Sequence, residues 1–194
     1  MMRSLLFLLA ALEIGTLGGC SSPRAGFYTL SSDATLERSG PAVPIGIVVG
    51  PVTVPELVDR PQMVTRVSDN QVAVNEFARW GESLKSNIPR AIAGNLVQLL
   101  GTGNVSVFPQ GGEAGGYRVS VAILRFDSVP GDSVTIDALW TMHPPEQAAL
   151  VTGHTVAHEP VTEPGYIAIA AAHSRALAAV SRDIAAAIRQ TLPR

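Results

Sequence analysis

The feature that most narrows the fold is a pair of alternating stretches flanking Pro130-Gly131-Asp132. Tyr117, Val119, Val121 and Ile123 alternate with more polar neighbours, and Val134, Ile136, Ala138, Trp140 and Met142 repeat the pattern on the way back. Side chains alternate across a strand, so each stretch presents one apolar face, and the Pro-Gly-Asp turn joins the two into a hairpin. Such a face needs a cover, and two helical stripes supply one. From near Glu82, Leu84, Ile88, Ile92, Leu96 and Leu99 fall three and four residues apart, ending at Gly101 to Gly103. Pro89 inside that stripe predicts a kink or marks the true first turn. After Pro164, the residues Tyr166, Ile169, Ala170, His173, Leu177, Val180, Ile184 and Ile188 make the second stripe. The expectation is an α+β fold, a largely antiparallel sheet with two amphipathic helices packed on one face.

Shorter runs complete the sheet. Phe27 to Leu30, Ile45 to Val49, Gln62 to Val67, Gln71 to Phe77, Val105 to Phe108 and Ala149 to Ala157 read as strands. Pro51 and Pro55 bracket Val52-Thr53-Val54, which predicts an edge or a bulged continuation. Ser68-Asp69-Asn70 is a turn, and Gly111 to Gly116 a flexible connector.

The start of the chain reads as an address. Arg3 precedes an apolar run, Leu5 to Leu12, that is too short to span a bilayer, and the run leads to Leu17-Gly18-Gly19-Cys20. Leu-Gly-Gly-Cys resembles the bacterial lipobox, in which the thiol is acylated and the chain cut just before it. Residues 1–19 are therefore expected to be a lipoprotein signal peptide, residues 20–26 an acylated tether, and residues 27–194 a single periplasmic domain. Cys20 is the one cysteine, so the domain has no disulfide to form, and acylation consumes the thiol. Fully extended, Ser21 to Gly26 spans at most about 20 Å, which keeps the domain near its membrane.

A formal net charge of −2 and a single lysine, Lys85, leave no basic stripe for nucleic acid. Chemistry is hard to find. His154 and His158 share a strand face without the third ligand a metal needs, and are expected to face solvent. His173 lies on an apolar helix stripe, where a histidine satisfied by one core hydrogen bond is expected. The glycines at 111–116 are followed by no Gly-Lys-Ser/Thr, and no Gly-x-Ser-x-Gly elbow is present. Carboxylates such as Asp59, Asp69, Glu76 and Glu82 form no specific pair. No catalytic residue, metal site or cofactor is expected.

One region is richer in unusual residues than packing requires. Asp59-Arg60-Pro61 turns the chain between strands, and Arg79-Trp80 precedes the first helix. Arginine and tryptophan are enriched at interface hot spots, so Asp59, Arg60, Pro61, Arg79 and Trp80 are candidate partner-binding residues. The structural alternative has Trp80 plugging a sheet edge, Arg79 paired with Glu76 or Glu82, and 59–61 as a self-bonded turn.

The order Phe27-Tyr28-Thr29-Leu30, Asp59-Arg60-Pro61-Gln62-Met63-Val64-Thr65-Arg66, then Arg79-Trp80-x-Glu82-x-Leu84 resembles the ABC-type transport auxiliary lipoproteins, a family that includes the PqiC (YmbA) proteins. The likeness runs through Ala179 to Ile184. Glu56-Leu57-Val58 departs from it where members often carry an aromatic. The resemblance implies a non-enzymatic auxiliary subunit of an intermembrane lipid transport system. Its partner would be an MCE-domain protein, its membrane contact the acyl chains, and its contribution membrane integrity. Self-association is left open. Ser21, rather than aspartate, after Cys20 favours the periplasmic face of the outer membrane. Two other readings are a carrier that itself holds an acyl chain between helices and sheet, and a periplasmic hydrolase resting on the loose carboxylates.

Overall fold

The computed structural model of the protein describes residues 24–38, 40–109, 116–145 and 149–192. The expected leader, Cys20 and residues 111–115 of the glycine connector lie outside the described residues. In chain order the elements are β1 (Gly26–Tyr28), β2 (Ile47–Thr53), β3 (Gln62–Ser68), β4 (Gln71–Trp80), α1 (Leu84–Leu100), β5 (Val105–Val107), β6 (Tyr117–Val129), β7 (Ser133–His143), β8 (Val151–Pro160) and α2 (Tyr166–Thr191). A 3-10 turn over Glu56–Val58 links β2 to β3.

The hairpin forms where the alternation places it, and runs further. Val119, Val121 and Ile123 of β6 face Met142, Trp140 and Ala138 of β7, all buried. The register then slips between Ile123 and Arg125, leaving both Leu124 and Arg125 exposed. After that bulge the inward positions become Phe126 and Ser128. Both helices lie on this inner face, with Leu84, Ile88, Ile92, Leu96 and Leu99 of α1 and Ile169, Leu177, Val180, Ile184 and Ile188 of α2 buried. Full burial of one such side chain contributes about 1.5–3 kcal/mol. Ala172, Ala176 and Ala185 are buried as well, small side chains that let α2 lie close to its neighbours. α1 starts five residues before Pro89 and continues past it, so Pro89 is interior rather than a first-turn residue.

The sheet differs from the expectation in two ways. There are two sheets, of order β5-β2-β6-β7-β8 and β1-β4-β3, and both are mixed. β2 runs parallel to β5 and to β6, and β1 parallel to β4, while β3–β4, β6–β7 and β7–β8 are antiparallel. For β2 and β5 the cause is topological. α1 packs on β2 and β5 and carries the chain back across the sheet, and a strand returned by a crossover helix arrives parallel. The expected bulge is present: β2 pairs with β6 at Val49 and again at Val52, the intervening Gly50 at φ +117° and Pro51 standing outside the ladder.

After β1 the chain drops into the groove between the helices, and buried polar side chains hold it there. Asn87 Oδ1 accepts from Leu30 N (3.0 Å), Asn95 Oδ1 from Asp33 N (2.9 Å) and Ser174 Oγ from Ser31 N (3.2 Å). Asn95 Nδ2 donates to Ser181 Oγ at 3.0 Å, tying α1 to α2 beneath. A Cβ on Gly94 would stand 2.8 Å from Ser32 Cβ, so this close passage requires glycine. Residues 30–33 thus fill the groove between the two helices.

Candidate functional site

The 59–61 turn and the end of β4 are distant in sequence, and strand pairing brings them together. Antiparallel β3–β4 places Gln62 opposite Arg79, and Pro61 O accepts from Trp80 N at 2.7 Å. The turn is closed by its own backbone, with Asp59 N reaching Pro55 O (3.2 Å) and Arg60 N reaching Val58 O (2.8 Å). The result is a cleft of about 300 Å³ lined by Asp59, Arg60, Pro61, Trp80, Gly81, Glu82 and Ser83. Four of the five residues singled out from sequence thus line one concavity. Arg79 is not among them.

Each member has a distinct part. Asp59 Oδ2 accepts from Lys85 Nζ at 2.6 Å, which fixes the turn to the first turn of α1. Glu82 pairs with Arg90 and accepts from Asn87 Nδ2 (2.9 Å), so it anchors the opposite wall. Arg60 is exposed, and its guanidinium takes part in no ion pair among the described residues. Trp80 is only 5% exposed. It is the floor of the cleft rather than a projecting anchor, and packs edge-on against Phe126 and His173 at ring distances of 6.0 and 6.3 Å. Arg79 pairs with neither acid expected for it: Glu76 accepts from Gln62 Nε2 and Glu82 is held by Arg90. Arg79 Nε is buried without a hydrogen bond.

Beneath Trp80 lies a buried polar pair. His173 Nε2 and Ser128 Oγ share a hydrogen bond at 2.8 Å, and the imidazole stacks on Phe126 at 3.8 Å with 5° between planes. Burial drives the His173 pKa down from 6.5 to about 3, so the ring is neutral. A serine beside a histidine has the makings of a nucleophile and base, but both side chains are sealed from solvent. No carboxylate orients Nδ1, which has no partner. The pair is a buried core contact in which one ring nitrogen is bonded and the other is not. Simple alternation along β6 does not point to Ser128, because the bulge at Leu124-Arg125 reverses which residues face inward.

The small sheet is clamped to the large one by charge. Arg66 Nε of β3 (3.0 Å) and Arg125 Nε (2.7 Å) both donate to Asp127 Oδ2 of β6. Partial burial pushes the Asp127 pKa up, yet the hydrogen bonds and charges of the two arginines outweigh it and hold the carboxyl below its usual value. On the outer face of the large sheet, His154 pairs with Asp137 (2.7 Å) and His158 with Thr135 (3.0 Å), both exposed cross-strand contacts. Among the described residues, no group of three or more His, Cys, Asp or Glu is placed to hold a metal, and no helix is long and apolar enough to cross a membrane.

Comparison with known proteins agrees with this architecture. The profile of a family described as ABC-type transport auxiliary lipoprotein component matches residues 28–185. A crystal structure of an uncharacterized protein superposes with a TM-score of 0.70 at 19% identity, covering 86% of this chain and 99% of the other. The crystal structure of protein XCC0632 from Xanthomonas campestris, of family DUF330, gives 0.65 at 16% identity, covering 83% of this chain and 93% of that one. At such identities the likeness speaks for the fold alone. No curated protein matches the sequence.

Proposed function

Because the chain belongs to the family of ABC-type transport auxiliary lipoprotein components, we propose that it is a non-enzymatic, membrane-anchored periplasmic subunit of an MCE/ABC-type lipid transport system. In this reading Cys20 carries the acyl anchor at the outer membrane, and the domain docks an MCE-domain protein. The observation that carries the docking role is the cleft between Asp59-Arg60-Pro61 and Trp80 to Ser83. Its walls are fixed by the Asp59–Lys85 and Glu82–Arg90 pairs, its floor is an indole, and a free guanidinium stands at its rim. A rigid concavity beside an exposed arginine suits a partner segment that brings an apolar side chain and a carboxylate. The Ser128–His173 pair is sealed from solvent and lies out of a substrate's reach.

The test is crosslinking in intact envelopes from a photoreactive residue at position 83, an exposed position that lines the cleft and leaves Arg60 in place. An MCE-domain protein is expected in the crosslinked product, and Arg60→Glu is expected to reduce its recovery without moving the melting temperature. Failure to capture any MCE-domain protein from envelopes that contain one would overturn the docking role. Loss of membrane fractionation in Cys20→Ser tests the anchor separately.

A further inference from the structure

Ile167 and Phe27 are the two most exposed large apolar side chains among the described residues, at 76% and 68%. They are 140 positions apart, yet they line one shallow cleft of about 290 Å³ with Tyr28, Thr29, Ala170 and Ala171. Neither is needed by the core. Ile167 lies in the first turn of α2, off the buried stripe, and Phe27 stands on β1 opposite Arg79 of β4. Directly beside them Tyr28 and Tyr166 pack ring to ring at 5.9 Å, and Tyr166 Oη accepts from Asn75 Nδ2 at 2.8 Å. Two of the chain's three tyrosines and the two barest large apolar side chains among the described residues thus share one corner.

The position of this corner in the chain says what covers it. Phe27 follows Cys20 by seven residues, so an anchor at Cys20 holds it within about 25 Å of the acylated leaflet even with the tether fully extended. Aromatic side chains with a polar tip are favoured at the headgroup level of a bilayer, where ring and hydroxyl find different surroundings. Arg24, three residues before Phe27, is exposed, and a long cationic side chain reaches phosphates from such a position. Glu163, three residues before Tyr166, keeps the corner from being uniformly basic.

We propose that the Phe27–Ile167 corner is a second membrane contact: it inserts shallowly into the leaflet that holds the acyl chains and so fixes the domain's orientation. This rests on the reading of Cys20 as the anchor.

The full-length acylated protein, reconstituted in phosphatidylethanolamine/phosphatidylglycerol vesicles containing doxyl-labelled lipid, tests it. Acylation occupies Cys20, so Ala171→Cys or Leu150→Cys introduces a sole free thiol for an environment-sensitive fluorophore. Ala171 borders the corner and leaves Phe27 and Ile167 intact. Leu150 is exposed and precedes the end of β8 that lies beside the far end of α2, as the Thr155–Asp183 and Glu159–Arg175 contacts show. The expected result is a blue shift and loss of emission at position 171, little change at 150, and reversal of the 171 effect by Phe27→Ser/Ile167→Ser. A protein that sediments with vesicles while position 171 stays unquenched overturns the contact and leaves the anchor standing. Equal quenching at both positions overturns the fixed orientation. Failure to sediment removes the anchor and the contact together.

Discussion

The two sheets of this protein are built to different ends. In β6 and β7 nearly every second side chain is buried beneath α1 and α2, and the hairpin is held by what it hides. The β3–β4 hairpin has its buried positions at its base, Met63 to Thr65 and Ala78 with Trp80, while Gln71 to Phe77 has no fully buried residue. Yet β4 is ten residues long and its first seven residues include Val74 and Phe77, both exposed. The large sheet with its helices is a foundation, and the small sheet is held out from it by its roots. Strand length alone therefore says little about where stability resides, and burial along the strand says much more.

This contrast can be broken by substitution. Leu96→Ala, at a side chain with no exposure, is expected to cost about 2–5 kcal/mol in urea unfolding, the range for a large-to-small change in a packed core. Next comes the polar core contact. Above pH 6.5 the His173 ring is neutral in both folded and unfolded chains. As pH falls below that value the unfolded chain takes up a proton that the folded one refuses until about pH 3. Stability is therefore lost through that window, by about 2 kcal/mol at pH 5, and His173→Gln should flatten this part of the profile between pH 7 and 5. Arg66→Ala removes one donor from Asp127 and is expected to cost about 1 kcal/mol. Its signature is faster amide exchange in β3 and β4 with β6 and β7 unchanged. Val74→Ser on the outer hairpin should stay within about 0.5 kcal/mol of wild type. A Val74→Ser cost near that of Leu96→Ala would erase the distinction between the two sheets.

Much of the foundation could be read from the residues. Period-2 alternation marked β6 and β7, and the stripes from Leu84 to Leu99 and Tyr166 to Ile188 marked the helices, because local geometry dictates both patterns. The bracketing prolines located the break in β2, which Gly50 and Pro51 occupy. Parallel pairing was not legible. Ile47 meets Val105 and Tyr117 across long separations, and no turn motif advertises such a partner, whereas antiparallel neighbours are announced by Pro130-Gly131-Asp132 or Ser68-Asp69-Asn70. At the candidate site, Asp59, Arg60, Pro61 and Trp80 stood out by composition and do converge. Arg79 stood out equally and points elsewhere, since neighbours in a strand face opposite ways. Phe27 and Ile167 escaped notice because each is unremarkable until β1 and the start of α2 are seen side by side.

The placement of β1 has a mechanical consequence. Its three residues pair in parallel with Ala78, Arg79 and Trp80, and the chain beyond is stitched between the helices by Asn87, Asn95 and Ser174. A tug on the amino-terminal segment, met by resistance at the cleft, loads the β1–β4 bonds along their strands, so that they must fail together rather than one after another. The five-stranded sheet stands outside that line of force.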